Sequence, residues 1–357
     1  MRLSSEVFPE PLGPARQKSP DAIVATLPVR ESAFGSRPNR SARFERPRGE
    51  GGTSLRTTTR LKELIAAPEI LVMPGVHDAL GCRLAEAAGF SALTAGGYGA
   101  TATLLGRPDS SQLSLTELAS MYGRMCEATS LPMLADADTG FGNVTNVART
   151  VTLYEKAGVA GLFIEDQVFP KRCGHMAGKA VIPTADWIAK IKAALDARHD
   201  PAFVIMARTD ALAVNGVDDA IERAQIAREA GADLLFVEAP TGVDQMRRIC
   251  NEVPGPCLAN NVETGLSPLL SAAELQAIGY AAVVFPVAAT YAVARALREL
   301  FDTIRRTGST EDALPRLATF DEFNELVGLS AQRRREAELQ DFADALVARH
   351  AKSHRYH

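Results

Sequence analysis

Three features of this 357-residue chain predict an α/β fold, specifically a (β/α)8 (TIM) barrel. From Thr57 onward, short apolar β-rich runs alternate with longer amphipathic stretches, giving eight strand-then-helix units in one pass. Several helical stretches stop on an Ala-Gly pair just before the next apolar run. Polar side chains suited to chemistry collect directly after the apolar runs, where barrels of this kind carry their sites.

The eight candidate strands are 70–73, 92–95, 133–135, 161–164, 203–207, 234–237, 257–259 and 282–285. Helical periodicity fills 79–88, 115–128, 144–157, 185–197, 217–230, 243–253 and 272–278. Ala88-Gly89, Ala157-Gly158 and Ala230-Gly231 are the helix stops. An open Rossmann sheet would instead place G-x-G-x-x-G after its first strand, and that pattern is absent. Beyond the barrel, 291–306 reads as a helix. Gly308 and Pro315 then break the pattern before 320–327 and a charged helix at 331–350. Hydrophobic positions in this last segment have little to enclose them, so it is expected to pack on the barrel or on a neighbouring subunit.

The expected organisation is an N-terminal extension (1–56), a catalytic barrel (57–290) and a C-terminal helical segment (291–357). Pro9, Pro11, Pro14, Pro20, Pro28, Pro38 and Pro47 punctuate the extension, which is Arg-rich and lacks hydrophobic periodicity. It is expected to be disordered or loosely attached. Glu6, Glu10, Asp21, Glu31, Glu45 and Glu50 argue against an organellar transit peptide, which would avoid acids.

With 46% hydrophobic and 23% charged residues, the composition is that of a globular protein, and no apolar run is long enough to span a bilayer. The net charge of −4 supplies no basic field for nucleic acid. Cys82, Cys126, Cys173, Cys250 and Cys257 are odd in number and show no C-x-x-C spacing, so a reducing cytoplasm without disulfides is expected.

Lys171-Arg172-Cys173-Gly174-His175 is the stretch around which the rest is arranged. Positive neighbours favour the thiolate, which makes Cys173 a candidate for proton exchange near neutral pH, whereas a packing cysteine would sit among apolar residues. In Asp136-Ala137-Asp138 two carboxylates two residues apart share one side of a strand end, and Glu165 ends the next strand. This oxygen-rich set suits Mg2+, with Mn2+ as the alternative. Zinc is disfavoured because no histidine pair stands at ligand spacing. The competing reading makes these acids helix caps. Arg208 directly follows a strand and suits a bidentate grip on a carboxylate, or an internal ion pair to Asp210 or Glu238. The Gly97-Tyr98-Gly99 turn can bring backbone N–H groups close to an anion.

Together, Asp136-Ala137-Asp138-Thr139-Gly140-Phe141-Gly142, Glu165-Asp166-Gln167, Lys171-Arg172-Cys173-Gly174-His175 and Ala207-Arg208-Thr209-Asp210 resemble the isocitrate lyase and phosphoenolpyruvate mutase superfamily, from about Thr59 to about Leu329. The resemblance implies a Mg2+-dependent (β/α)8 barrel, tetrameric, in which the helix after the barrel is exchanged between paired subunits. It assigns that helix to about 291–306. Cys173-Gly174-His175 favours the carbon–carbon lyases over the phosphonate mutases, which lack the cysteine. Met176-Ala177-Gly178-Lys179, Gly97-Tyr98-Gly99, Asn260-Asn261-Val262-Glu263 with Ser267-Pro268, and Ala318-Thr319-Phe320-Asp321-Glu322-Phe323 look most like the 2-alkylmalate (2,3-dimethylmalate) lyases, with methylisocitrate lyases next. Gly96 departs from the pattern, standing where relatives usually carry Ser or Thr.

Carried over residue by residue, the resemblance implies a metal shell of Asp136, Asp138 and Glu165 and a catalytic set of Cys173, Arg208 and His175. It implies substrate contacts from Gly97, Tyr98, Gly99, Asp109, Lys171, Gly174, Glu238, Asn260 and Ser267. The expected reaction cleaves a 2-hydroxy di- or tricarboxylate to an α-keto acid and a carboxylic acid. Oxaloacetate hydrolysis or decarboxylation, a phosphonate mutase reaction, and a catalytically silent binding barrel are the alternatives.

Overall fold

The computed structural model of the chain describes residues 55–353 except His175 and Ala177. The expectations for residues 1–54 and for His175 therefore lie outside the described residues.

The elements run α1 (Thr57–Ala66), β1 (Leu71–Pro74), α2 (Ala79–Ala87), β2 (Leu93–Ala95), α3 (Gly97–Leu105), α4 (Leu115–Glu127), β3 (Met133–Asp136), α5 (Val144–Lys156), β4 (Gly161–Glu165) and α6 (Thr184–Ala197). They continue through β5 (Val204–Thr209), α7 (Leu212–Asn215), α8 (Val217–Glu229), β6 (Leu234–Val237), α9 (Val243–Glu252), β7 (Leu258–Asn260), α10 (Ala272–Ile278) and β8 (Ala282–Phe285). After the barrel come α11 (Ala288–Thr307), a 3-10 turn (Glu311–Arg316), α12 (Phe320–Leu326) and α13 (Leu329–Ser353). All eight expected strands are present, within one or two residues at most ends.

Every strand pairing is parallel. Strands β2 to β6 pair in sequence order, and β1, β8 and β7 form a second group. Parallel bridges Gly75–Thr94 and Leu235–Cys257 join the two groups, closing the barrel. Side chains alternate in and out along each strand. Leu134, Phe163, Val204, Met206, Leu234, Phe236, Leu258 and Val284 fill the barrel interior, while Met133, Leu162, Ile164, Ile205 and Leu235 pack outward under the helices. Leu61 and Ile65 of α1 belong to the interior cluster, so this helix plugs one end of the barrel.

The same alternation fixes the site. Two residues beyond the inward-facing Leu134, Phe163, Met206, Phe236 and Leu258 stand Asp136, Glu165, Arg208, Glu238 and Asn260. The barrel thus ends, on its C-terminal face, in a ring of polar groups above an apolar plug.

Two local expectations are corrected. Gly97-Tyr98-Gly99 is not a turn but the first turn of α3. Both glycines sit at a close approach, since a Cβ on Gly97 would lie 3.1 Å from Asp136 Oδ2 and one on Gly99 3.0 Å from His77 Cβ. Asp138 does not share a strand face with Asp136, because β3 ends at Asp136 and Asp138 has a φ of 46°. It is also not the cap of α5, a role taken by Asn143, whose side chain accepts from the Thr145 and Asn146 N–H groups.

The post-barrel helices leave apolar side chains uncovered, among them Val293, Leu297, Phe301 and Ile304 on α11 and Phe342 and Val347 on α13. Among the described residues no helix is long and apolar enough to cross a membrane, and no disulfide joins the five cysteines.

Candidate active site

A cavity of about 210 Å³ opens at the C-terminal ends of the strands. Gly97, Tyr98, Asp109, Asp136, Lys171, Cys173, Gly174, Arg208, Glu238 and Asn260 all line it. The structure thus brings together most of the residues singled out from sequence. It leaves Gly99, Asp138, Glu165 and Ser267 out of the lining. Gly99 faces His77 and Thr290 instead, and Ser267 Oγ is buried without a hydrogen-bond partner. Asp138 and Glu165 lie beneath the lining, buried to 4% and 0% exposure.

Arg208 is the centre of the ionic network. Its Nε donates to Asp210 Oδ2 at 2.9 Å and stands 3.3 Å from Glu165 Oε2, while Nη2 lies 3.1 Å from Glu238 Oε2. Both internal ion pairs considered from sequence are therefore made at once. The guanidinium also stacks over Phe236 at 5.2 Å. Burial alone would lower its pKa, but Asp210, Glu165 and Glu238 outweigh that and hold the charge firmly. Asn260 Nδ2 donates to both Glu238 oxygens at 3.2–3.3 Å, fixing the outer carboxylate of the set.

Lys171 is fully drawn into the acidic side of the site. Its Nζ lies 2.7 Å from Asp109 Oδ2 and 3.0 Å from Asp138 Oδ1, and its backbone N–H donates to Ser111 Oγ. Burial would depress its pKa, yet Asp138, Asp136, Glu165 and Asp109 together keep it well above the ordinary lysine value. Asp136 is satisfied by backbone donors, Gly97 N–H to Oδ2 at 2.9 Å and Asp138 N–H to Oδ1 at 2.8 Å. Burial pushes the Asp138 carboxyl up to about 6, with Lys171 pulling it down and Asp136 and Asp109 raising it further. Burial likewise raises Glu165 well above the carboxylate range, only partly opposed by Arg208 and Lys171.

Among the described residues this end of the barrel buries seven carboxyl groups, Asp109, Asp136, Asp138, Glu165, Asp166, Asp210 and Glu238. They face four cations, Lys171, Lys179, Arg208 and Arg223. The excess negative charge calls for protons or a further cation. Neither Glu165 oxygen accepts a hydrogen bond, although Oε2 stands 3.3 Å from Arg208 Nε, and Asp138 Oδ1 has only its ion pair to Lys171. Among the described residues no three His, Cys, Asp or Glu side chains, Asp136, Asp138 and Glu165 included, converge closely enough to hold a metal ion by themselves. Orphaned oxygens without a cage fit a hard divalent cation that keeps much of its water.

The Cys173 segment reaches the cavity on an excursion from β4. Ile182 N–H donates to Asp166 O and Val168 N–H to Ala180 O, both at 2.8 Å, which pins the base. Gln167 braces the turn through Arg172 N–H and Arg172 O. Gly174 comes so close to the floor that a Cβ there would lie 2.5 Å from Arg208 Nη2 and Glu238 Cγ. At the opposite rim Tyr98 meets Tyr291 of α11 edge-on, with hydroxyls 3.4 Å apart. Tyr291, Thr264, Val262, Met176 and Lys179 stand at the site without a role assigned from sequence, although the last three lie within the quoted motifs.

Residues 61–305 match the family described as phosphoenolpyruvate phosphomutase. The chain belongs to that family. The chain is similar to 2,3-dimethylmalate lyase of Eubacterium barkeri, 44% identical over 79% of this chain and 98% of the relative. A 2-methylisocitrate lyase of Aeropyrum pernix is 42% identical over 82% of this chain and 94% of its own length. Among solved structures, a 2,3-dimethylmalate lyase of the PEP mutase/isocitrate lyase superfamily superposes with a TM-score of 0.76 at 35% identity, covering 80% of this chain and 96% of the other. An oxaloacetate acetylhydrolase bound to 3,3-difluorooxalacetate superposes with a TM-score of 0.75 at 34% identity, covering 80% and 97%. The phosphomutase family therefore brings the (β/α)8 architecture and lyase relatives to this chain, in agreement with the resemblance carried by its motifs.

Proposed function

We propose that the chain is a Mg2+-dependent carbon–carbon lyase that cleaves a 2-hydroxy dicarboxylate of the 2-alkylmalate or methylisocitrate type to an α-keto acid such as pyruvate and a carboxylic acid. The observation that carries this reading is that Cys173 lines the same cavity as Arg208, Asp136, Glu238 and Asn260. The lyase names of relatives at above 40% identity support it.

Asp136, Asp138 and Glu165 would hold the ion, partly through water, and the bound ion supplies Lewis-acid polarisation of the substrate's hydroxyl oxygen. The protein's own part follows from its geometry. Arg208, immobilised by Asp210 and Glu165, offers its remaining N–H groups to substrate carboxylate and stabilises charge as it develops. The 2-hydroxyl passes its proton to water as the C2–C3 bond breaks and C2 becomes the keto carbon, and that proton returns through water to the Cys173 thiolate left at the end of the cycle. The bond electrons pass into the departing carboxylate as an enediolate, and Cys173 Sγ delivers a proton to C3. Gly174, with no side chain, lets the Cys173 segment come close to Arg208 and Glu238.

The C-terminal helices support a homotetramer of helix-swapped dimers, since α11 exposes Leu297 at 42% and Phe301 at 59% while its Tyr291 reaches the cavity. A second reading, oxaloacetate hydrolysis, is favoured by the likeness to oxaloacetate acetylhydrolase. Assay of 2,3-dimethylmalate, other 2-alkylmalates, methylisocitrate and oxaloacetate, with Mg2+ and with EDTA, separates the two. Pyruvate plus a saturated acid supports the lyase, and oxalate plus acetate replaces it with the hydrolase.

A further inference from the structure

We propose that Lys179 is a positioning residue that ties the Cys173–Gly174 segment to the carboxylate holding Arg208, so that thiol and guanidinium are set by one ammonium group. The side chain of Lys179 is 2% exposed although its residue lies on a surface excursion. Its Nζ donates to Gly174 O and to Asp210 Oδ1, the latter at 2.9 Å. Asp210 is itself immobile. It is fully buried, its N–H donates to Asp166 Oδ1 at 2.8 Å, and Asp166 is held in turn by Thr209 Oγ1 and Arg223. The Asp210 carboxylate also accepts from Arg208 Nε at 2.9 Å and Nη2 at 3.3 Å.

The arrangement has two consequences. Gly174 sits where its Cα hydrogens face Arg208 Nη2 and Glu238, and nothing in its own side chain holds it there. Lys171 anchors the segment on the side of Asp109 and Asp138, two residues before the thiol, so Lys179 supplies the matching anchor on the side of Asp210. Without it the bond to Gly174 O and the tie to Asp210 are lost together. Hydrogen bonds to a charged group shift such a positional equilibrium by roughly ten- to a hundredfold. An ammonium placed only to balance Asp210 would need no second bond to a backbone carbonyl of the thiol segment.

The kinetic part of this inference rests on the lyase reading, but its structural part does not. The test uses the full-length chain as Lys179→Met and Lys179→Arg, with Cys173 alkylation by iodoacetamide followed by peptide mass spectrometry in the absence of substrate. In Lys179→Met the alkylation of Cys173 is expected to accelerate by about tenfold or more, whereas Lys179→Arg, which keeps the charge and several donors, stays within about threefold of wild type. With 2,3-dimethylmalate, kcat and kcat/KM fall together in Lys179→Met, on the order of ten- to a hundredfold. An unchanged alkylation rate in Lys179→Met overturns the proposal, whatever its effect on the thermal midpoint. Equal acceleration in Lys179→Met and Lys179→Arg also overturns it. Should Lys179→Met fail to fold, Lys179→Gln gives the same comparison, and a wild-type alkylation rate there is equally decisive. Absence of turnover in every variant including wild type sinks the lyase reading and leaves the alkylation result to decide this one.

Discussion

Replacing Gly174 by alanine is a small change whose cost can be worked from the structure. The added methyl would lie 2.5 Å from both Arg208 Nη2 and Glu238 Cγ. Heavy atoms settle at about 3.5 Å, so something must move by about 1 Å. Arg208 cannot yield, being ion-paired to Glu165, Asp210 and Glu238, and Glu238 is further held by Asn260. The Cys173–Gly174 backbone therefore retreats, carrying the thiol with it. A displacement of ~1 Å between reacting groups costs on the order of a hundredfold in rate, or about 2.7 kcal/mol in the barrier. The thermal midpoint should stay within about 2 °C of wild type, because the segment lies outside both hydrophobic clusters. The assay is pyruvate release coupled to lactate dehydrogenase, with Gly242→Ala as control, since nothing lies within 4 Å of a methyl there. Wild-type kcat in Gly174→Ala would refute the idea that this segment approaches the floor during turnover.

Four further outcomes are expected. At pH 7.5 iodoacetamide should modify Cys173 first, since burial pushes the thiols of Cys82, Cys126, Cys250 and Cys257 up to about 12, and time-resolved peptide mapping checks the order. Because the folded-state Asp138 carboxyl is raised from 3.8 to about 6, its protonated form favours the fold. That contribution is full below about pH 3.8 and lost as pH rises through 6, so EDTA-treated wild type should lose up to about 3 kcal/mol relative to Asp138→Asn over that window in thermal melts. Mg2+ at pH 7.5 should restore the wild-type midpoint and leave Asp138→Asn much less affected. Phe301→Glu on α11 should shift the assembly to a smaller species in light scattering, and an unchanged mass would remove that helix from the interface.

The barrel was legible because its strands are buried on both faces and read as continuous apolar runs, with helix stops such as Ala157-Gly158 before them. The polar ring was legible for the same reason, since strand ends are fixed once the runs are found. What was not legible depends on contacts distant in sequence. Helix α3 begins on glycines, poor helix formers, and only the proximity of Asp136 and His77 explains them. The turn that sets Asp138 at positive φ hides behind a D-x-D pattern that looks like a strand. Lys179 gains its partners only when the segment folds back onto Asp210, 31 residues away. Ser267 came from the resemblance alone and Gly99 also from its Gly-x-Gly pattern, and the cavity lining includes neither.

The most direct test of the central claim is the rate of pyruvate release from 2,3-dimethylmalate at saturating Mg2+ in wild type and Cys173→Ser. A serine hydroxyl fills the space but is a far weaker acid, and loss of a positioned proton donor costs roughly 10²–10⁴-fold. The account predicts a loss in that range with Mg2+-dependent turnover in wild type. Near-wild-type cleavage by Cys173→Ser, or no pyruvate from the wild-type enzyme, would contradict it.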